Sequence, residues 1–248
     1  MTHSKLWARS AGRMCTDKVR SPSRQVRARV NLPLSPSNQF NREGQPCCRS
    51  AAATITPLTT TRLPEILMKI LCLGWGSLVW NPGVLRCVGG WHTDGPELPL
   101  EFARTSQDGR LTLVLTAGAR PVPCLWTELE YTTPHHAQEA LAGREGCTLP
   151  GIGLWPGDPS AHNPGADAIA AWAAAHGVGA VVWTALKPKF GGVDGNAPET
   201  AEAALTYLKQ LDTNRIGKAR EYVERAPLQV QTALRAVFER ELGWHALP

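Results

Sequence analysis

From position 68 onward the apolar residues fall first into short runs punctuated by glycine and proline, then into stripes three and four residues apart. Residues 70–73, Ile-Leu-Cys-Leu, are stopped by Gly74-Trp75-Gly76-Ser77, the pattern of a buried strand leaving through a tight turn. Residues 100–105 and 110–116 flank Ser106-Gln107-Asp108-Gly109, whose Asp-Gly pair signals a β-hairpin. Residues 122–129 predict another strand, and Pro134 opens a helix that runs through Ala142 and ends near Gly143. Residues 150–164 read as a Gly- and Pro-rich loop. Residues 168–186 are nearly free of charge but consist mostly of Ala and Gly, which transfer weakly into lipid, and His176-Gly177-Val178-Gly179 interrupts them. They predict an Ala-rich helix followed by a buried strand over 180–186, and no membrane span.

The remaining pattern is helical. Residues 199–211 carry a stripe at Ala204, Leu205 and Leu208, and 215–225 form a second candidate. Pro227 stands where a first helical turn tolerates it, and Val230, Leu234, Val237 and Leu242 mark one face of a last helix that stops at Gly243. Strands first and helices afterwards predict an α+β architecture with a helical tail over 199–248. Residues 1–67 show neither period. Their Arg, Ser, Pro and Thr runs cannot bury enough apolar surface to offset ordering entropy of about 1 to 2 kcal/mol per residue, so a disordered extension is expected there.

Charge divides the chain at the same place. The formal net charge is +5 from 26 basic and 21 acidic residues. Residues 1–67 hold 11 of the bases against Asp17, Glu43 and Glu65, which leaves 15 bases against 18 acids for residues 68–248. The part with a folding pattern is acidic, which argues against a nucleic-acid surface covering the protein. The basic segment reads as a targeting peptide, as an arm for an anionic partner, or as sequence upstream of a start at Met68. The last is favoured, because Met68-Lys69 opens directly into a strand. Seven cysteines without a Cys-x-x-Cys pair and no apolar signal core in the first 30 residues predict a reducing, cytoplasmic compartment.

Two segments could carry chemistry. Gly74 to Gly83 follows a strand directly, and its small residues let the backbone approach a ligand, with successive N–H groups forming a concave anion site. Val79 stands where a dinucleotide fingerprint needs its third glycine, and Trp75 and Val79 stand where a nucleophile elbow around Ser77 needs glycines. On spacing alone, a tight strand exit accounts for the segment as well as a binding loop does. Arg144-Glu145-Gly146 lies at a predicted helix end, where the dipole disfavours negative charge, a setting poor for stability and useful for a base. An isolated Arg-Glu pair is otherwise a solvated surface pair. His135-His136 lacks partners at ligand spacing, so no metal is expected. Cys147 reads as a buried structural thiol, and Trp75, Trp80, Trp126 and Trp183 as core or pocket wall. The loop over 187–192 offers two lysines and two glycines, either as a cover for an anionic substrate or as a plain connection.

Gly74 to Pro82 resembles the Gly-Tyr-Gly-Ser-Leu-x-Trp-x-Pro segment that opens the γ-glutamylcyclotransferase superfamily, especially its ChaC-type branch. Arg144-Glu145-Gly146 is similar to the acidic residue before a glycine that follows downstream in that superfamily, and Glu101 to Ser106 looks like its Arg- and Ser-bearing strand. The resemblance covers about residues 68–147 and fades beyond, where the helical tail looks like an extension. It implies a mixed β-barrel with surrounding helices and a pocket for a γ-glutamyl group. Gly76, Ser77 and Leu78 would bind the glutamyl head through backbone groups, Trp75 and Arg104 would line the pocket, and Glu145 would act as acid and base. Trp75 departs from the family's tyrosine, since an indole N–H can only donate.

The implied reaction needs no cofactor: the α-amine of a γ-glutamyl amide closes onto its own γ-carbonyl, giving 5-oxoproline and a free amine. Ser77 is then a binding residue and no covalent nucleophile. The rival expectation is a non-catalytic module that binds an acidic metabolite or a protein on the same fold. Glu145 separates the two, because a binding module has no need of a carboxylate beside an anion-binding loop.

Overall fold

The computed structural model describes residues 68–157 and 163–247, all within one compact unit, Thr61–Pro248. The expectations for residues 1–67 lie outside the described residues. The fold is mixed α+β. Strands β1 (Ile70–Gly74), β2 (Cys87–His92), β6 (Leu125–Leu129), β7 (Ile152–Trp155) and β8 (Ala180–Thr184) form one sheet in the order β2-β6-β1-β8-β7. Its central pair, β1 and β8, is parallel, with Ile70 opposite Ala180, and the other neighbours are antiparallel. All five residues of β1 are buried, as the unbroken apolar run requires of a strand covered on both faces.

The second sheet is built on the hairpin of β3 (Glu97–Thr105) and β4 (Leu111–Leu115). β9 (Lys189–Phe190) joins β3 in parallel at Arg104 opposite Lys189, β10 (Val193–Asp194) pairs with β9, and β5 (Pro121–Pro123) pairs with the start of β3. One apolar core unites the sheets, with Leu71, Leu73 and Val181 from the first and Leu98, Phe102 and Leu113 from the second. The strands thus make two mixed sheets, and no closed barrel forms among the described residues.

Helix α1 (Pro134–Glu145) covers the first sheet, burying Ala137, Leu141 and Ala142 against Ile70, Cys72, Ile152 and Val182. Thr133 caps it, its side chain accepting from the His136 N–H. It continues past the expected end at Gly143, because Gly143 keeps helical geometry and Gly146 takes the left-handed cap at φ 62°. Arg144 and Glu145 are therefore its last turn. Helices α2 (Ala166–Ala175), α3 (Ala201–Lys209), α4 (Thr213–Arg225) and α5 (Ala233–Leu242) complete the unit.

Three further expectations are corrected. The strand expected over 122–129 divides at Cys124 into β5 and β6, which belong to different sheets. The loop expected over 150–164 contains β7, hidden because Gly151 and Gly153 flank its apolar residues. Gly153 is required there: a side chain would meet the Trp183 ring. The last helix begins at Ala233 rather than Pro227; Pro227 instead follows the end of α4, and Thr232 caps α5. With β7 and β8 following α1, the order of strands then helices holds only in outline.

Candidate active site

A cleft of about 580 Å³ opens between the exit of β1, the β3–β4 hairpin and the end of α1. Trp75, Gly76, Ser77, Leu78, Arg104 and Glu145, the six residues expected to form a site, all line it. The turn after β1 is held by Val79 N–H donating to the Gly76 carbonyl and Asn81 N–H donating to the Ser77 carbonyl, both at 2.9 Å. Among the described residues no hydrogen bond uses the N–H groups of Gly76, Ser77 or Leu78, which leaves three adjacent donors for an anion.

Arg144 ties the turn to the helix end. Its guanidinium donates to the Asn81 carbonyl at 2.6 Å and to Ser77 Oγ at 3.2 Å, and pairs with the Glu145 carboxylate. The Arg144 and Glu145 side chains are only 10% and 16% exposed, so this pair is not the solvated surface pair that sequence neighbours usually form. The connection from Glu145 to Ser77 runs through Arg144 and not through a direct hydrogen bond.

Two of the expected residues also make hydrogen bonds within the fold. The Trp75 indole N–H donates to the Leu113 carbonyl at 3.2 Å, so Trp75 offers the cleft a ring and no donor. Arg104 sits where the β3–β4 register shifts, between Phe102 and Arg104, and donates to the Lys187 carbonyl at 2.8 Å. That bond holds the 187–192 segment at the cleft, where Lys189 and Gly192 contribute to the lining. Cys147, expected in the core, is half-buried and also lines the cleft. Burial, then the nearby Glu145 charge, pushes its thiol pKa up, which makes it a poor nucleophile.

Tyr222 was not anticipated. It projects from α4 into the same cleft, 4% exposed, and its hydroxyl oxygen accepts from the Leu113 N–H at 3.2 Å. Burial pushes its pKa up to about 12, with Glu145 adding to the rise against the Leu113 hydrogen bond and two arginines, so the phenol stays protonated near neutral pH. The O–H proton remains available to a ligand. Gly76 makes the arrangement possible, because a methyl there would overlap the phenol oxygen.

The cleft lining carries Arg104, Arg110, Arg144 and Lys189 against Glu145, which favours an anionic ligand. His135 and His136 lie at the exposed start of α1, with His135 3.4 Å from Glu139, and among the described residues no three of His, Cys, Asp and Glu group as metal ligands. No described helix is long and apolar enough to cross a membrane. No family model, curated protein or solved structure matches the chain.

Proposed function

We propose that the protein cyclises a γ-glutamyl amide to 5-oxoproline with release of the amine, as a γ-glutamylcyclotransferase-like enzyme whose two sheets stand for the barrel of that superfamily. The observation that carries the reading is the meeting of the turn over Gly76 to Leu78 with Glu145, distant in sequence, in one cleft with three free N–H donors. A turn alone could be a strand exit and a pair alone could be a surface pair. Their convergence on a cationic cleft supports a site for a carboxylate beside a proton-transfer group.

The glutamyl α-carboxylate lies on the turn N–H groups, with Ser77 Oγ beside it. The α-amine attacks the γ-carbonyl carbon, a C–N bond forms, and Glu145 takes the amine proton. Tyr222 donates its hydroxyl to the carbonyl oxygen as negative charge develops there. When the original amide C–N bond breaks, Glu145 returns the proton to the leaving nitrogen. Arg144 keeps the carboxylate turned toward the turn, acting as a positioning residue. Holding amine and carbonyl together supplies much of the acceleration, up to about 7 to 11 kcal/mol in intramolecular cases.

Incubating the chain with a panel of γ-glutamyl amides and measuring 5-oxoproline tests the proposal. Glu145→Gln keeps size and hydrogen bonding but cannot take the proton, so turnover should fall by roughly 10² or more. Near-normal turnover in that variant removes Glu145 from the chemistry, and no 5-oxoproline from any amide leaves the binding module as the better account.

A further inference from the structure

The β3–β4 hairpin sets Arg110 in the wall of the cleft. Its tip is closed by Ser106 N–H donating to the Arg110 carbonyl at 2.9 Å and by Gly109 N–H donating to the Ser106 carbonyl at 3.0 Å. Side chains then fix the arginine. Ser106 Oγ donates to the Asp108 carboxylate at 2.6 Å, and the same carboxylate oxygen accepts from Arg110 Nε at 2.9 Å. A guanidinium held through its Nε has lost much of the freedom of a long side chain, so its place is set before a ligand arrives.

What Arg110 faces is Tyr222. Its guanidinium carbon lies 5.5 Å from the centre of the phenol ring, while Trp80 and Phe102 meet that ring edge-on at 5.6 and 6.3 Å. The hairpin tip is itself seated on the helices. Tyr207 on α3 donates its hydroxyl to the Gly109 carbonyl at 2.8 Å, and Gly109 lies so near Arg215 and Leu211 that a methyl there would crowd both. Two charges of opposite sign thus bear on the phenol. Glu145 pushes its pKa up, and Arg110 opposes that more than Arg144 does, whose guanidinium is committed to Glu145, Asn81 and Ser77.

We infer that Arg110 is a positioning residue that acts through Tyr222, holding its ring in place and strengthening its hydroxyl as a donor to the carbonyl oxygen of the substrate. The inference rests on the cyclisation reading. As the amine attacks, negative charge grows on that oxygen and draws the phenol proton toward it. The ring becomes richer in electrons, and the guanidinium over its face attracts it more strongly. An attraction that is stronger in the transition state than in the bound substrate raises kcat and leaves KM nearly unchanged. Asp108 already compensates the charge of Arg110, which weakens its pull on a ligand anion and leaves its contact with the ring intact.

The test measures 5-oxoproline release from the γ-glutamyl amide of the panel that the wild type turns over fastest, in Arg110→Met, Arg110→Lys, Tyr222→Phe and the double variant Arg110→Met with Tyr222→Phe. Arg110→Met keeps a long side chain over the ring without the charge, and should lower kcat about tenfold with KM within about threefold of wild type. Arg110→Lys keeps a cation there and should recover part of the loss. Tyr222→Phe should lower kcat by about 10², and in that background Arg110→Met should cost less than about twofold, because the proton through which Arg110 acts is gone. An equal loss in both backgrounds, or no recovery in Arg110→Lys, makes Arg110 a structural residue and overturns the inference. Unchanged kcat in Arg110→Met, or a loss carried by KM, overturns it as well, while wild-type turnover still upholds cyclisation. Full activity in Tyr222→Phe removes the phenol from the chemistry and the inference with it. If the wild type makes 5-oxoproline from no amide, the cyclisation reading falls first.

Discussion

Replacing Arg235 with Met should destabilise the unit through the carbonyl groups it leaves behind. Arg235 is fully buried on α5, and among the described residues no carboxylate lies within ion-pair distance of it. Burial accordingly pulls its pKa down. Its guanidinium donates to the carbonyls of Val223 and Ala226 at 2.7 Å, of Pro227 at 2.7 Å and of Val230 at 3.1 Å. Pro227 explains the need. The helical partner of the Val223 carbonyl would be the N–H four residues on, and that residue is Pro227, which has none.

The Pro227 carbonyl also accepts from Val230 N–H, so the variant orphans three carbonyls. At about 1 to 3 kcal/mol for each unpaired buried group, the gross penalty is roughly 3 to 9 kcal/mol. Taking the middle of that range, about 6 kcal/mol, and returning about 2 to 4 kcal/mol for the desolvation of the buried guanidinium leaves a net loss of about 2 to 4 kcal/mol. For a unit of this size that lowers Tm by roughly 4 to 16 °C. Urea denaturation followed by tryptophan fluorescence measures it, with Arg235→Lys expected between Met and wild type because an ammonium cannot reach all four carbonyls. A Met variant within about 0.5 kcal/mol of wild type would refute the reasoning, since it would mean that the carbonyls find other donors at negligible cost.

Two further outcomes follow from the cleft and its hairpin. Gly76→Ala should displace Tyr222, cutting 5-oxoproline formation far more than it lowers stability, and a crystal structure of the variant with the phenol oxygen still on Leu113 N–H would contradict this. At Asp108, burial favours the neutral acid, but hydrogen bonds from Ser106 and Arg110 outweigh it and hold the folded pKa below the ordinary carboxylate value. A depressed folded pKa means the stabilisation is present above the unfolded pKa of about 3.9 and is lost as pH falls through the lower folded value. Asp108→Asn should remove that part of the acid dependence, measured as the difference in stability between pH 6 and acid conditions.

Where a local period or a terminator dominates, the sequence is readable. β1 follows from an apolar run, the β3–β4 hairpin from an Asp-Gly turn in which Gly109 takes φ 86°, and the end of α5 from Gly243 at φ 69°. Partnership between distant segments is not readable in this way. Residues 122–129 look like one strand because both halves are apolar, yet Pro123 pairs with Glu97 in one sheet and Leu125 with Gly74 in the other. β2 carries Gly89 and Gly90 with an exposed middle, so no alternation marks it, and only its pairing with β6 makes it a strand.

The site divides along the same line. The turn and Glu145 could be singled out because their chemistry resides in consecutive residues, whereas Tyr222 lies among charged residues on α4 and reaches the cleft only through the packing of that helix. A trace of it was nonetheless present. Ala219, Tyr222, Val223 and Ala226 are spaced as one buried stripe, and a tyrosine on such a stripe needs a partner for its hydroxyl, since burying it unpaired costs about 1 to 3 kcal/mol. The partner is Leu113 N–H, at the place where the β4 edge runs beside the cleft. A glycine after the strand and a polar aromatic on a distant apolar stripe together mark a close approach of two backbones. The helical segment that looks like an extension where the resemblance fades is therefore part of the wall, and any truncation that removes α4 removes Tyr222 from the cleft.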